Sequence, residues 1–230
     1  MIVKKSVNIE FNKPTKVYHA VIANLVCKYV HRGKILDIGV GAGHIPKLIK
    51  DKNANIKITI ADTDKSFLEI TSESVVVERK LLIKKISDIL KYGKFDAVVL
   101  SHSLEHMRNP YKAIQIAMQV LNKKGVLVLA VPNPVRPNVI IGNIFQKHYV
   151  NKGHVYAWDR SHWINFLENI LKLDVVEYTE DHVQYLPSML KELFFKYIPI
   201  IEQAIVRSEI YLTKIVPWWS FSNIAVIRKP

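Results

Sequence analysis

Ile35-Leu36-Asp37-Ile38-Gly39-Val40-Gly41-Ala42-Gly43, residues 35–43 (ILDIGVGAG), decides how this chain is read. Lys34 to Ile38 is a short strand by pattern, and glycine then occupies every second position. Glycine takes positive φ without a Cβ penalty and lets a ligand come close to the backbone, so a strand feeding such a turn is a candidate ligand loop. The spacing is not that of a dinucleotide fingerprint, because His44 stands where its third glycine belongs. No Lys-Ser or Lys-Thr pair closes the loop, which argues against a phosphate-binding P-loop.

Outward from this stretch, helical and strand patterns alternate. Tyr18, Val21, Ile22, Leu25, Val26 and Tyr29 recur at helical spacing upstream. Ile45, Leu48 and Ile49 open the helix that follows the loop, with Pro46 tolerated in its first turn. A second strand, Ile56 to Ala61, ends at Asp62, and Asp64 is placed to cap the next helix. Leu81 to Ile86 reads as a strand ending at Ser87-Asp88. Phe95 to Leu100 is apolar almost throughout, as a strand covered on both faces should be. Asn109-Pro110 starts a helix with the stripe Ile114, Ala117, Met118 and Leu121, Gly125 stops it, and Val126 to Val131 is the next strand. The alternation predicts an α/β fold with a mainly parallel sheet and right-handed crossovers. Residues 134–153 are expected as an ordered loop or lid. A helical stripe at Trp163, Phe166, Leu167, Ile170 and Leu171, a strand near 174–178, a helix from Ser188 bent at Pro199, and a last strand Asn223 to Arg228 complete the reading. No interdomain linker interrupts it, so residues 1–230 are expected to form a single domain.

The bulk numbers agree. In 230 residues, 49% are hydrophobic, enough for a sizeable core. No apolar run approaches the roughly 18–20 residues of a membrane-spanning helix, and the first residues lack a secretion-signal pattern. Cys27 is the only cysteine, which excludes an internal disulfide and a multi-cysteine zinc site; a reducing cytoplasm is the expected compartment. The net charge of +13 is spread over scattered lysines rather than a basic block, compatible with a solvated surface or with an anionic partner.

Two acids accompany the glycines. Asp62 lies about 20 residues beyond them at the end of the next strand, where an acid accepts both hydroxyls of a ribose. Asp64 competes for that role, and Asp88 either borders a base or caps a turn.

Residues 35–43 resemble motif I of the class I S-adenosylmethionine-dependent methyltransferases. FDAVVLSHSLEHMRNPYKAIQIAMQVLNKKGVLVLAVPNP (95–134) is similar to that family's fourth strand, its "LEH" turn, a helix and the fifth strand. HVYAWDRSHWINFLENI (154–170) resembles a later segment of the same subgroup, and SNIAVIRKP (222–230) its closing antiparallel strand. The resemblance implies a Rossmann-like, seven-stranded, mostly parallel sheet with an antiparallel last strand and helices on both faces. It implies that Gly39, Gly41 and Gly43 wrap the methionine portion of S-adenosylmethionine with Asp37 near its amino group. It further implies that Asp62 holds the ribose, Asp88 and Ile89 border the adenine, and Ser101 closes the inner side. Val40 departs from the small or polar residues more usual there.

Methyl transfer from a sulfonium is an in-line displacement, so the protein mainly aligns the groups and excludes water, and a base is needed only where the acceptor must lose a proton. His106, after the fourth strand, and His154, beyond the fifth, are the candidate catalytic residues, with Glu105 placed to orient either. His102-Ser103-Leu104-Glu105-His106 also matches the HxxEH string of inverted zinc peptidases. It follows a buried strand directly and is soon cut by Asn109-Pro110, whereas a peptidase needs it inside a sustained helix with a third ligand from elsewhere. No metal is therefore expected on sequence grounds. Residues 179–220 are expected to form a variable helical insertion acting as a substrate lid, ending in Pro217-Trp218-Trp219-Ser220-Phe221. The expected acceptor is a small or lipophilic molecule, with peripheral membrane contact through these tryptophans as an option. RNA methylation, or a non-catalytic nucleic-acid-binding module on the same fold, is the alternative that the charge motivates.

Overall fold

The computed structural model describes residues 16–145, 151, 153–185 and 199–230. Helix α1 (Val17–Tyr29) leads into strand β1 (Gly33–Ile38), followed by α2 (His44–Lys52), β2 (Ile56–Asp62), α3 (Lys65–Ser74) and β3 (Arg79–Leu82). After a 3₁₀ segment (Ile86–Tyr92) come β4 (Phe95–Ser101), a 3₁₀ turn (Leu104–His106), α4 (Pro110–Gln119) and β5 (Leu121–Pro132). The remainder is α5 (Pro137–Phe145), α6 (Arg160–Ile164) continuing as a π turn (Asn165–Ile170), β6 (Val175–Glu180), α7 (Pro199–Leu212) and β7 (Ser222–Arg228).

The seven strands form one sheet in the order β3-β2-β1-β4-β5-β7-β6. Strands β1 to β5 are parallel, while β7 inserts antiparallel between β5 and β6. Period-2 alternation assigns side chains to the two faces. Leu36, Ile38, Val98, Leu100, Leu127 and Leu129 join one core with α4 residues Ala113, Ile114 and Ala117 and with Trp158, Trp163 and Leu167. Ile35, Ile58, Ile60, Ala97, Val99 and Val128 join the other with α1 residues Ile22, Ala23 and Val26 and α2 residue Ile49. Because the central strands are covered on both sides, they read as continuous apolar runs.

The expected caps are present. The Asp64 carboxylate accepts from the Ser66 N–H at 2.8 Å, and Asn109 Oδ1 accepts from the Lys112 N–H at 2.9 Å.

Several elements differ from expectation, each for a local reason. β3 occupies 79–82 rather than 81–86, because the Asp88 carboxylate accepts the N–H groups of Lys84 (2.9 Å) and Lys85 (3.2 Å) and winds the chain into the 3₁₀ segment. α4 ends at Gln119, well before Gly125, which lies inside β5; Phe95 N–H donates to Val120 O at 2.9 Å, so sheet pairing takes over there. Part of the expected loop 134–153 is the helix α5, started by the Asn133 side chain accepting the Val135 N–H at 3.1 Å and by Pro137. Thr179 and Glu180, expected in the variable helical insertion, belong to β6. The expected cap at Ser188 lies outside the described residues; α7 is described from Pro199.

Candidate active site

β1 pairs with β2 on one side and β4 on the other, so the crossovers diverge at its carboxyl end and leave a crevice there. A cavity of about 580 Å³ occupies it, within the range of small-molecule sites. Its walls include Asp37 and Gly39 to His44 after β1, Asp62 and Thr63 after β2, and Ser101 to Ser103 with Glu105, His106 and Met107 after β4. Lys16, Tyr18 and His19 from α1 and its cap, and Asn151 and His154 from the segment after α5, complete it.

The glycine turn is held open by backbone geometry. Gly39, Gly41 and Gly43 have φ of +76°, +52° and +75°, the left-handed region that side chains disfavour. A Cβ on Gly39 would meet Ser103 Cβ at 2.8 Å, and one on Gly43 would meet Thr71 side-chain atoms at 2.6 Å, so the turn packs tightly on its outer sides. A Cβ on Gly41 meets nothing within 4 Å. Asp62 ties the turn to β2: its Oδ2 accepts the Gly41 N–H at 3.3 Å and its Oδ1 the Asp64 N–H at 3.0 Å.

Two buried carboxylates face this turn. Asp37 is 2% and Asp62 9% exposed, and no ion pair joins either to a basic side chain among the described residues. Burial, and then the neighbouring Asp62 charge, push the Asp37 carboxyl up to about 7. Burial also raises Asp62, against backbone N–H groups of Asp64, Gly41 and Thr63 that favour its ionised form. The Asp37 carboxyl in particular has neither an ion pair nor a hydrogen-bond donor among the described residues. A sulfonium nucleoside carrying an amino group and a diol supplies both, so the residues present fit S-adenosylmethionine.

Another part of the cavity wall, in contact with the glycine turn where His19 stacks on His44 at 4.8 Å, is built from histidines. His102 sits just past β4 with φ +50°, its N–H donating to Ala130 O at 2.8 Å and its Nε2 2.9 Å from Ser222 Oγ. Tyr18 and Phe221 stack on its ring at centroid distances of 4.3 and 5.9 Å. Burial, then the Lys16 and Arg136 charges, hold His102 well below the usual histidine range. His19 is lowered to about 3 by burial and by His44 and Lys16. Both rings are therefore neutral near neutral pH.

His106 and His154 meet edge-on with ring centroids 4.8 Å apart, although 47 residues separate them. The main chain explains the meeting. Glu105 O accepts the N–H groups of Val155 (2.8 Å) and Tyr156 (3.3 Å), and His106 Nδ1 lies 2.9 Å from Gly153 O. A Cβ on Gly153 would stand 2.8 Å from His106 Nδ1, so only glycine permits this approach. Burial lowers the His154 pKa, followed by the charges of His106 and Arg136. Beneath the pair, Glu105 is 1% exposed and raised by burial to about 7.

Of the residues singled out from the sequence, Asp37, Gly39, Gly41, Gly43, Asp62, Ser101, His106 and His154 line this one cavity. Asp88 and Ile89 do not. The Asp88 carboxylate is occupied with the Lys84 and Lys85 N–H groups, and Ile89, 0% exposed, packs in the core under α4. Ile83 lines the cavity on that side instead. Among the described residues none of 179–220 lines it; this segment contacts the cavity wall at one remove, through His182 stacked on Phe221 at 5.3 Å. Sequence reasoning missed Lys16, Tyr18, His19 and the wall role of His102. Only the last had a visible signal, as the first residue of the HxxEH string.

Residues 36–129 match the methyltransferase domain family. The demethylmenaquinone methyltransferase of Thermotoga maritima is 24% identical over 150 residues, covering 65% of this chain and 60% of that one. The mitochondrial ubiquinone biosynthesis O-methyltransferase of Rattus norvegicus is 28% identical over 150 residues, covering 60% of this chain and 43% of that one. The matched stretch thus spans less than two thirds of either relative. In fold, the chain is similar to the N-methyltransferase NodS of Bradyrhizobium japonicum in complex with S-adenosyl-L-homocysteine, with a TM-score of 0.62 and 15% identity over 98% of this chain and 97% of that one.

Proposed function

We propose that this chain is a class I S-adenosylmethionine-dependent methyltransferase, a reading supported by the match of residues 36–129 to the methyltransferase domain family. The reading is that it transfers a methyl group from S-adenosylmethionine to a small or lipophilic acceptor entering from the histidine end. The observation that carries it is the pair of buried carboxylates, Asp37 and Asp62, facing a positive-φ glycine turn at the head of the sheet. When bound, the cofactor supplies an activated methyl on a cationic sulfur, so displacement needs alignment more than acid or base.

Each residue then has a defined task. Gly39, Gly41 and Gly43 present backbone to the amino-acid portion, and Asp37 supplies negative charge near its amino group. Asp62 accepts from the ribose hydroxyls, and Ser101 closes the inner side. Ile83, in place of the Asp88 and Ile89 pair, gives an apolar surface for the base. His106 and His154 face the acceptor, where a neutral imidazole takes or holds a proton.

A quinone-precursor type of acceptor is supported by what the two curated relatives are named for. Surface chemistry supports it too. Ile141, Ile144 and Phe145 of α5 and Trp218 and Trp219 are exposed apolar groups on a chain of net charge +13, a combination suited to an anionic lipid surface where such acceptors reside. Among the described residues no helix is long and apolar enough to cross a membrane. Residues 181–185 and 199–220 are proposed to border the acceptor entrance rather than the cofactor.

Incubation with methyl-labelled cofactor and host extract tests the activity. Label is expected in the lipid-soluble or small-molecule pool; label confined to RNA supports the nucleic-acid reading, and calorimetric silence toward both S-adenosylmethionine and S-adenosylhomocysteine overturns the assignment.

A further inference from the structure

A second cavity, of about 400 Å³, lies at the amino ends of β1, β2 and β4, the edge of the sheet remote from the glycine turn. Arg32, Lys34, Lys57 and Lys94 line it, against one carboxylate, Asp96. We propose that this cavity binds a free di- or triphosphate group, at a site separate from that of the cofactor.

Three observations carry the proposal. First, the cations stand together without neutralisation. Lys34 and Lys57 are register partners on adjacent parallel strands, both exposed, so their side chains leave backbones about 4.8 Å apart. Like charges set side by side on a sheet oppose folding unless an opposite charge lies between them. The ion pairs that lysine and arginine make among the described residues, Lys28–Glu177, Lys65–Glu69 and Arg160–Glu180, involve none of the four lining cations. Second, the local acceptors are already shared. Lys94 Nζ and Lys229 Nζ both donate to Gln119 O, the last carbonyl of α4, and burial together with the Lys94 charge lowers the Lys229 pKa. Arg32, Lys34 and Lys57 have no side-chain partner of this kind among the described residues. Third, the cavity is built in advance. Asp96 ties its walls together: Oδ2 accepts the Lys34 N–H at 2.8 Å, and Oδ1 accepts from Asn122 Nδ2 at 2.7 Å. Gly33 admits that carboxylate, since a Cβ there would stand 2.2 Å from Asp96 Oδ2. Asn53 Nδ2 donates to His31 O at 2.7 Å and holds the Arg32 loop against the end of α2.

The donor set selects the ligand class. A guanidinium fork and three ammonium groups suit phosphoryl oxygens, and the carboxamides of Asn55 and Asn122 add neutral donors. Each phosphoryl group carries a charge of about −1.5 to −2, so two of them match the surplus of the lining cations over Asp96. A singly charged anion leaves most of that surplus unanswered. The volume is that of a small-molecule site, and the cations converge on one concavity rather than forming the extended track that a nucleic-acid strand follows. Lys34 and Asp37 are three residues apart on β1, so about 10 Å of strand separates this site from the cofactor carboxylate. Part of the net charge of +13, for which methyl transfer has no use, thereby gains a task. Phosphoryl binding here does not depend on the methyltransferase reading.

The test uses the full chain in chloride buffer free of divalent cations. It is titrated with inorganic pyrophosphate and tripolyphosphate, which carry no nucleoside for the crevice at the glycine turn, and binding is read by calorimetry and phosphorus NMR. One equivalent is expected, half-saturated below about 1 mM at about 100 mM salt, with sulfate about tenfold weaker or worse. Lys34→Gln combined with Lys57→Gln is expected to weaken pyrophosphate about tenfold or more while S-adenosylmethionine affinity stays within about twofold. Asp62→Ala is expected to weaken the cofactor and leave pyrophosphate unchanged, so a failure of the cofactor reading and a failure of the anion site appear separately. Folding of the double variant is checked by circular dichroism, and Arg32→Gln, at an exposed loop position, gives the same reading if it misfolds. Binding that does not saturate, or equal affinity in the parent and the variants, overturns the proposal. A single-stranded RNA of about 20 nucleotides tests the other source of phosphoryl groups. RNA that binds more tightly than tripolyphosphate, and loses that affinity in the double variant, overturns the assignment to a free anion.

Discussion

Two parts of the cavity wall, a glycine end and a histidine end that meet where His19 stacks on His44, are built on different principles. At the glycine end, the functional atoms hang from the carboxyl ends of β1 and β2, paired in register from Gly33↔Ile56 to Ile38↔Ala61, and contacts there are mostly between near neighbours in the sheet. At the histidine end, His106 and His154 come from a 3₁₀ turn and an irregular segment, joined by a few main-chain bonds. The sheet fixes the first end and loops assemble the second. A cofactor that never changes suits the rigid end, and an acceptor that differs among relatives suits the adjustable one.

Four substitutions probe this division, in order of expected effect. Asp62→Ala removes a charge-assisted acceptor at the rigid end and is expected to weaken S-adenosylmethionine about 10²- to 10³-fold by calorimetry, with an unchanged far-ultraviolet spectrum. Unaltered affinity would show that the carboxylate grips nothing. His154→Ala acts at the adjustable end and is expected to lower kcat about 10- to 100-fold with little change in cofactor Kd. A matching loss of cofactor affinity would erase the distinction between the ends.

Asp37→Asn sharpens it through pH. The Asp37 carboxyl titrates at about 7 in the folded chain against an ordinary value near 3.8. Its folded form therefore holds the proton longer, and its contribution to stability, complete below pH ~4, is lost as pH rises toward 7. The asparagine variant escapes that loss. It is expected to melt about 3–8 °C above the parent at pH 8 in the absence of cofactor, and to match it at pH 4, while binding S-adenosylmethionine about tenfold more weakly. An equal shift at both pH values would mean the burial of charge is not its cause. Trp219→Ser, outside both ends, is expected to change stability by less than ~1 kcal/mol and to reduce sedimentation with anionic vesicles by a few-fold. Unchanged vesicle binding would remove the tryptophans from the acceptor's route.

Most of the rigid end was legible in the sequence because its chemistry is local. A strand, alternate glycines and an acid after the next strand are neighbours along the chain before they are neighbours in space, and the Asp64 and Asn109 caps act within three residues. The adjustable end was legible only as parts. His106 and His154 were each visible, but their meeting depends on Glu105 O accepting from Val155 and Tyr156, a contact without periodicity. Tyr18, His19 and Lys16 belong to a helix whose packing looked purely structural. Asp88 shows a different ambiguity: an acid at the end of a strand pattern has the same signature whether it borders a base or caps a turn, and its carboxylate here accepts the Lys84 and Lys85 N–H groups. The helix α5 escaped because Pro132, Pro134 and Pro137 dominate the local signal, while Ile140, Ile141 and Ile144 are exposed rather than striped toward a core.

The position of β7 inside the sheet has a consequence for how the chain is made. Among the described residues β6 pairs only with β7, and β5 pairs with β7 through Val126↔Arg228, so residues about a hundred positions apart must find each other. During synthesis the segment 175–180 emerges well before its partner, and the flank of β5 waits longer still. The five parallel strands can associate first, but the sheet closes only when 222–228 slides between two edges that have stayed unpaired, a late and non-local step that exposes them to wrong partners until it is done.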